Sequence, residues 1–240
     1  MRNVLTIARR EIRSSFNSPV AYAVILGFLL FTGVILYFVR GFYAVGQADL
    51  TGYFSMMPLI LAFLVPALTM RSWAEERRLG TYELLLTLPF TEGQLVIGKF
   101  LSSFSLAALA LALTIPVPLA ASMLGSFDAG VLATQYLGVL LEAAAAVAIG
   151  EWISSRAKNQ VSAFVGSVLA LLALVLIDRV SGFLGARGAV AALLNWFSLA
   201  FHYDSFSRGV LDTRDLAYYL SATVLFLYLA SWGLTRRKWS

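Results

Sequence analysis

From Val20 to Val39 the chain runs without one charged side chain. As a helix rising 1.5 Å per residue, a stretch of that length matches the roughly 30 Å hydrocarbon core of a bilayer. In lipid a backbone finds no water, so a segment of this kind is satisfied only by closing its hydrogen bonds within a helix. Five more apolar stretches follow: Leu50 to Met70, Leu95 to Leu124, the turn at Asp128 to about Ile153, Val161 to Ile177 and Leu216 to Leu234. Composition agrees, with 60% apolar and 13% charged residues against about 45–50% and about 25% in soluble domains. The expected fold class is an all-α membrane protein with six transmembrane helices. The 240 residues leave no length for a separate soluble catalytic domain, so 1–240 is expected to form a single transmembrane domain.

Local signals punctuate these spans. Arg2 to Phe16 sets Leu5, Ala8, Ile12 and Phe16 on one helical face and Arg2, Arg9, Arg10 and Arg13 on the other, which predicts an amphipathic interfacial helix over 1–17. Ser18 then reads as an N-cap and Pro19 as a first helical residue. Pro58 and Pro66 predict bends in the second span, and Pro116 and Pro118 a kink in the third. Trp196, Phe197, Phe201, Tyr203 and Phe206 lie in 178–215, an expected extracytoplasmic segment with short helices at the headgroups. The run Ala143 to Ala146 reads as close helix packing.

Most of the 18 Lys and Arg residues fall in the N-terminal helix, in 71–99, around Arg156 and Lys158, or at the C-terminus. Arg40, Arg179, Arg187, Arg208 and Arg214 form the smaller set, most of them near Asp178, Asp204, Asp212 or Asp215. The positive-inside rule puts both termini and 71–99 in the cytoplasm. The same excess of positive charge therefore needs no nucleic acid to explain it.

The segment 71–99 is the longest departure from apolar sequence. Glu75, Glu76, Arg77 and Arg78 form a charged run that Gly80 breaks. Thr81 reads as the N-cap of a new short helix, with Glu83 in its first turn, Leu84, Leu85, Leu86 and Leu88 as its apolar residues and Pro89 ending it. Thr91 and Gln94 have capping-box spacing at the start of the next helix.

Several patterns suggest catalysis and fail on chemistry. Gly93 to Lys99 has the spacing of a phosphate-binding loop, but Phe100 stands where a Ser or Thr must hold magnesium. His202, Tyr203, Asp204 and Ser205 are too close in sequence to converge on one substrate. A chain with no cysteine and one histidine has no thiol nucleophile and few of the ligands that zinc sites use. Glu142 is different, because a carboxyl in the middle of a span marks a possible intramembrane polar site. Glu151, near the end of the same span, is expected to reach headgroup water or to pair with Arg156.

Met70 to Phe100, MRSWAEERRLGTYELLLTLPFTEGQLVIGKF, resembles the cytoplasmic loop of type-2 ABC transporter permeases, the membrane subunits of ATP-binding-cassette exporters. Ile149 to Gln160, IGEWISSRAKNQ, resembles that family's motif at the end of the fourth span, departing from it at Glu151-Trp152 and Arg156-Ala157. Phe201 to Leu220, FHYDSFSRGVLDTRDLAYYL, is similar to the outer segment of the gliding-motility branch. The resemblance implies a non-enzymatic permease in the cell (inner) membrane, with ATP and magnesium held by a separate cytoplasmic ABC ATPase subunit. It also implies a second permease subunit, as homodimer or heterodimer, and a coupling helix between spans two and three. The contact with the ATPase is expected at Glu75, Glu76, Arg77, Gly80, Thr81, Tyr82, Glu83, Leu84 and Leu85, with the ring of Tyr82 buried in a groove on the partner. Two other functions are compatible with the residues: a secondary transporter or channel using Glu142, and an anchor that transmits motion without moving cargo.

Overall fold

The computed structural model describes residues 2–35, 50–82, 85, 90–122, 128–183 and 188–238, and every regular element among them is helical. The N-terminal corner forms as its residues dictate. Helix α1 (Arg2–Phe16) meets α2 (Pro19–Val34) at 78°. At that joint the Ser18 side chain accepts from the Val20 N–H, and Pro19 occupies the first turn, where its missing N–H costs nothing. The end of the expected first span, 36–39, lies outside the described residues, as does the loop at Arg40.

The face that α1 buries overlaps the expected one, with Ala8 buried and Ile12 and Phe16 half-buried, but Leu5 departs from it. Ile7 and Ala8 are buried while Leu5 is 64% exposed, because α1 packs along α6 (Glu92–Ala112). Gly98 permits the approach: a Cβ there would stand 2.6 Å from Ile7 Cγ2. An apolar stripe read alone does not distinguish a protein neighbour from a membrane surface, and here apolar residues lie on two sides of the helix.

The second span is also displaced. A short helix α3 (Thr51–Phe54) ends before Met56, and α4 (Met57–Thr69) begins with Pro58 in its first turn. Pro58 therefore starts a helix instead of bending one. The continuous apolar helical segment is Met57–Arg78, which passes through a turn into α5 (Ala74–Arg78). The third span follows expectation, since α6 carries both bonds of the Thr91–Gln94 capping box and breaks before α7 (Pro116–Ala121).

Helix α8 (Ala129–Ser154), capped by the Asp128 side chain, is the centre of the molecule. It packs against α4, α6, α9 (Gln160–Phe183), α11 (Leu199–Ser207) and α12 (Thr213–Lys238). Ala143, Ala145, Ala146 and Ala148 are buried, and small side chains of this kind let neighbouring backbones come close. The short helices α10 (Ala189–Phe197) and α11 cover one end of the bundle, in the region where the aromatic sequence predicts them. Among the described residues five helices are long and apolar enough to cross a membrane, or six if the bent α1–α2 pair is counted as one span. The protein is an all-α, multi-pass membrane protein.

Gly150 of α8 lies against Thr69 of α4, whose Oγ1 would collide with any added Cβ. Gly150→Leu is expected to destabilise the protein by about 1–3 kcal/mol through overpacking. Thermal unfolding of the purified variant in detergent, showing a clear drop in Tm, is the check. An unchanged Tm would mean that α4 and α8 are not in contact there.

Candidate functional site

Where α4 turns into α5, the helix start leaves backbone N–H groups without intrahelical partners. Those of Trp73 and Ala74 donate to Ser154 Oγ on α8, at 3.2 and 3.3 Å. The side chains of the same turn converge on a second α8 residue. Ser72 Oγ and Trp73 Nε1 both donate to Glu151 Oε2 at 2.8 Å, and Ser103 Oγ of α6 donates to Oε1 at 3.0 Å. Glu151 is fully buried. It neither reaches headgroup water nor pairs with Arg156, contrary to expectation. The reason lies on the neighbouring chain segments: three donors meet the carboxylate inside the bundle, while Arg156 stacks over the Trp152 ring at 4.4 Å.

Lys99 is the cationic counterpart. Only 2% exposed, it donates to the Ser72 carbonyl at 2.7 Å and forms ion pairs with Glu11 of α1 at 3.3 Å and Glu76 of α5 at 3.5 Å. Its ammonium also lies 5.1 Å from the centre of the Trp73 ring. Around this centre two arginines tie neighbouring segments together. Arg71 holds Glu75 through two bonds of 2.7 and 3.0 Å and donates to Ser18 Oγ at 2.6 Å, which ties α4 to the corner between α1 and α2. Arg77 donates to the carbonyls of Ser155 and, at 3.1 Å, Ala157, at the C-terminal end of α8 where carbonyls lack helical partners. A cavity of about 240 Å³ beside this network is lined by Arg10, Glu11, Arg71, Glu75, Glu76 and Lys99, among others.

The α5 helix then ends at a tip. Gly80, at φ 71°, carries the chain through the left-handed region, with Thr81 N–H bonded to the Glu76 carbonyl at 3.0 Å and Gly80 N–H to the Arg77 carbonyl at 3.2 Å. This pair of bonds is the Schellman ending that glycine favours. Arg78, Leu79, Gly80 and Thr81 are all exposed, Leu79 at 61%.

The residues expected to meet a partner therefore divide into two sets. Glu75, Glu76 and Arg77 bind back to their own chain, and Gly80 and Thr81 face out. Tyr82 does not project as an anchor: its ring packs on Trp73 at 6.3 Å with Arg77 4.9 Å above it, and its hydroxyl is buried. Leu85 is buried with Ile7, Trp73, Leu95 and Leu234. Thr81 directs its hydroxyl to Glu76, and its carbonyl accepts from the Leu85 N–H at 2.9 Å, as at a helix start. Glu83, Leu84, Leu86, Leu88 and Pro89 lie outside the described residues. Sequence reasoning missed Arg78 and Leu79 at the tip, and Glu11, Lys99, Trp73 and Glu151 beneath it. Glu11, the one acid on a helix with four arginines, was the available signal.

Halfway along α8 Glu142 is 1% exposed, and neither carboxyl oxygen has a hydrogen-bond partner among the described residues. His202 contacts Asp215, with Nδ1 2.7 Å from Oδ1, and Nε2 lies 3.1 Å from the Trp196 carbonyl. Asp204, its near neighbour in sequence, pairs with Arg208 instead. No triad forms from 202–205.

A family model described as ABC-2 family transporter protein matches residues 21–238. The chain is 29% identical to a protein named "Probable ABC transporter permease protein NosY" from Pseudomonas aeruginosa, over an alignment of 284 positions covering 98% of each. Both agree with the permease resemblance of Met70 to Phe100, and neither addresses the gliding-motility branch.

Glu151→Ala would leave the Trp73 indole and two hydroxyls facing no acceptor, while Lys99 keeps its pairs with Glu11 and Glu76. A loss of about 3 kcal/mol or more is expected, since each buried donor left without an acceptor costs about 1–3 kcal/mol. Glu151→Gln keeps an acceptor and should cost less, about 1–3 kcal/mol. Melting curves for the two variants at matched expression check the order. Equal, wild-type melting of both would contradict the donor geometry.

Proposed function

The chain belongs to the ABC-2 transporter family, and on that premise we propose that a separate cytoplasmic ATPase seats on the tip at Arg78 to Thr81 and drives the spans through it. The chain is a membrane subunit of an ABC transporter; its orientation, partner contacts and task are the proposed part. The single observation that carries the proposal is the contrast within 71–85. Glu75, Glu76, Arg77, Tyr82 and Leu85 are bound to the rest of the chain, whereas Arg78, Leu79, Gly80 and Thr81 are exposed. A contact held rigidly from behind passes a push into the helices it is fastened to. Glu83 and Leu84, next along the chain, extend the proposed contact.

In this reading 1–240 is one permease domain in the cell (inner) membrane, with both termini and 71–99 in the cytoplasm and 178–215 outside. The distribution of Lys and Arg supports that orientation. The ATPase holds ATP and magnesium, and a second permease subunit, identical or related, completes the assembly. The cycle moves or pulls a substrate across or within the membrane. A secondary transporter or channel is the alternative that Glu142 favours, since its carboxyl is buried and unpartnered. Turnover of ATP by the purified assembly separates the two.

Arg78→Ala and Leu79→Ala together should reduce the ATPase retained on purification by more than about tenfold, since removing anchors at a buried contact typically costs about 2 kcal/mol or more. Their melting should stay at the wild-type value. Tyr82→Ala is the contrast, because emptying the space over Trp73 should lower Tm. Full ATPase retention and full ATP turnover in the double variant would overturn the docking assignment.

A further inference from the structure

Glu142 lies midway along α8, about 20 Å from either end at 1.5 Å per residue. Gln135, Gly138 and Glu142 are spaced by three and four residues and so share one face of the helix. Helix α11 covers that face. Gln135 Nε2 donates to the Ser207 carbonyl at 2.9 Å, and a Cβ on Gly138 would stand 2.5 Å from Phe206 Cβ and 3.0 Å from Tyr203 Cε2. The next turn of α8 brings Glu142 beneath this contact, with no hydrogen-bond partner on either oxygen. The hydroxyl of Tyr203, itself 2% exposed, is likewise unpartnered.

We infer that Glu142 is a proton-binding site in the membrane core, capped by α11, and that it exchanges its proton with the outer side when α11 lifts. An ionised carboxylate with no partner in an apolar interior is too costly to persist, so the group must carry a proton or hold a cation. The surroundings favour the proton. No cluster of three His, Cys, Asp or Glu exists among the described residues, so a multivalent ion would lack the oxygen ligands it needs. The facing titratable groups are few. Tyr203 of α11 and Tyr218 and Tyr219 of α12 are within electrostatic reach, and Tyr53 of α3 and Tyr136 of α8 border Tyr203. Helix α4 contributes no titratable side chain, Lys99 of α6 is at the far end, and Asp178 is near the end of α9.

The cap has a fastening of its own. His202 and Asp215 join α11 to α12, and Tyr219 donates to the Leu199 carbonyl at 2.8 Å. When the cap lifts, the carboxyl O–H bond breaks and the proton passes to water on the outer side. On closure a proton returns from water to the same carboxylate, so the charge is neutralised before it is buried again.

The test reads the carboxyl itself and does not depend on ATPase docking. Native membranes containing the full assembly are treated with dicyclohexylcarbodiimide, an apolar reagent that adds to protonated carboxyls, and the Glu142 peptide is weighed by mass spectrometry. The expected adduct forms at Glu142, disappears in Glu142→Gln, and slows by roughly tenfold per pH unit once the acid ionises. A membrane-impermeant carbodiimide with an amine should label wild type from outside only slowly, as α11 lifts, and should label Tyr203→Ala at least about tenfold faster, where the cap is opened. Absence of the apolar adduct at every pH, with labelling in an unfolded control, would overturn the proposal. So would a pH-independent rate, equal impermeant labelling of wild type and Tyr203→Ala, or protection by sodium or potassium at fixed pH, which would make this an alkali-cation site.

Discussion

The carboxylate of Glu151 cannot be buried without donors, and the chain supplies them from separate places. Ser72 and Trp73 come from the turn after α4, and Ser103 comes from α6, so one side chain of α8 fixes two other elements. Lys99 completes the arrangement from α6, drawing Glu11 of α1 and Glu76 of α5 to the same point. Opposite buried charges of this kind add little net stability over a well-packed apolar core, but breaking one partner is expensive. Their effect is therefore to restrict the packing: α1, α5, α6 and α8 meet in one arrangement or leave charges unpaired.

That restriction gives the exposed tip its mechanical character. Arg78 to Thr81 extend from a short helix whose other residues are fastened to α1, α6 and the C-terminal end of α8. A displacement at the tip has few soft joints to dissipate it before it reaches α8, and α8 touches most of the other spans. The same helix carries Glu142 in its middle, so the central element of the bundle links the proposed docking end to the capped carboxyl. The α11 cap is tied to α12 by its own pair, His202 and Asp215.

What the sequence made legible was local. The Ser18–Pro19 corner, the Gly80 break and the Thr91–Gln94 capping box each depend on residues within a few positions, and each formed as read. The family resemblance likewise rested on contiguous strings. What the sequence left unread came from contacts across long separations or from choices between two faces. Glu151 meets donors 48 to 79 residues away, which no spacing rule anticipates. Tyr82 turned inward because Trp73 and Arg77 were already placed to receive it, and Leu5 turned outward because Gly98 drew Ile7 to the protein side. Pro58 was ambiguous by itself, since proline serves equally to bend a helix and to begin one.

The central claim is that the tip moves with the spans as one body, and a distance between them tests it most directly. The absence of native cysteine allows spin labels at Glu75→Cys, on α5 behind the tip and outside the proposed contact, and at Val161→Cys at the start of α9, where Val161 is exposed. Pulsed electron paramagnetic resonance on the assembled complex should give one narrow distance distribution, unchanged between nucleotide-free and ATP-bound states, that broadens only when Glu151→Gln is added. An α5 that shifts relative to Val161 on ATP binding with Glu151 intact would mean that the segment is a flexible tether, and the account of rigid transmission would be wrong.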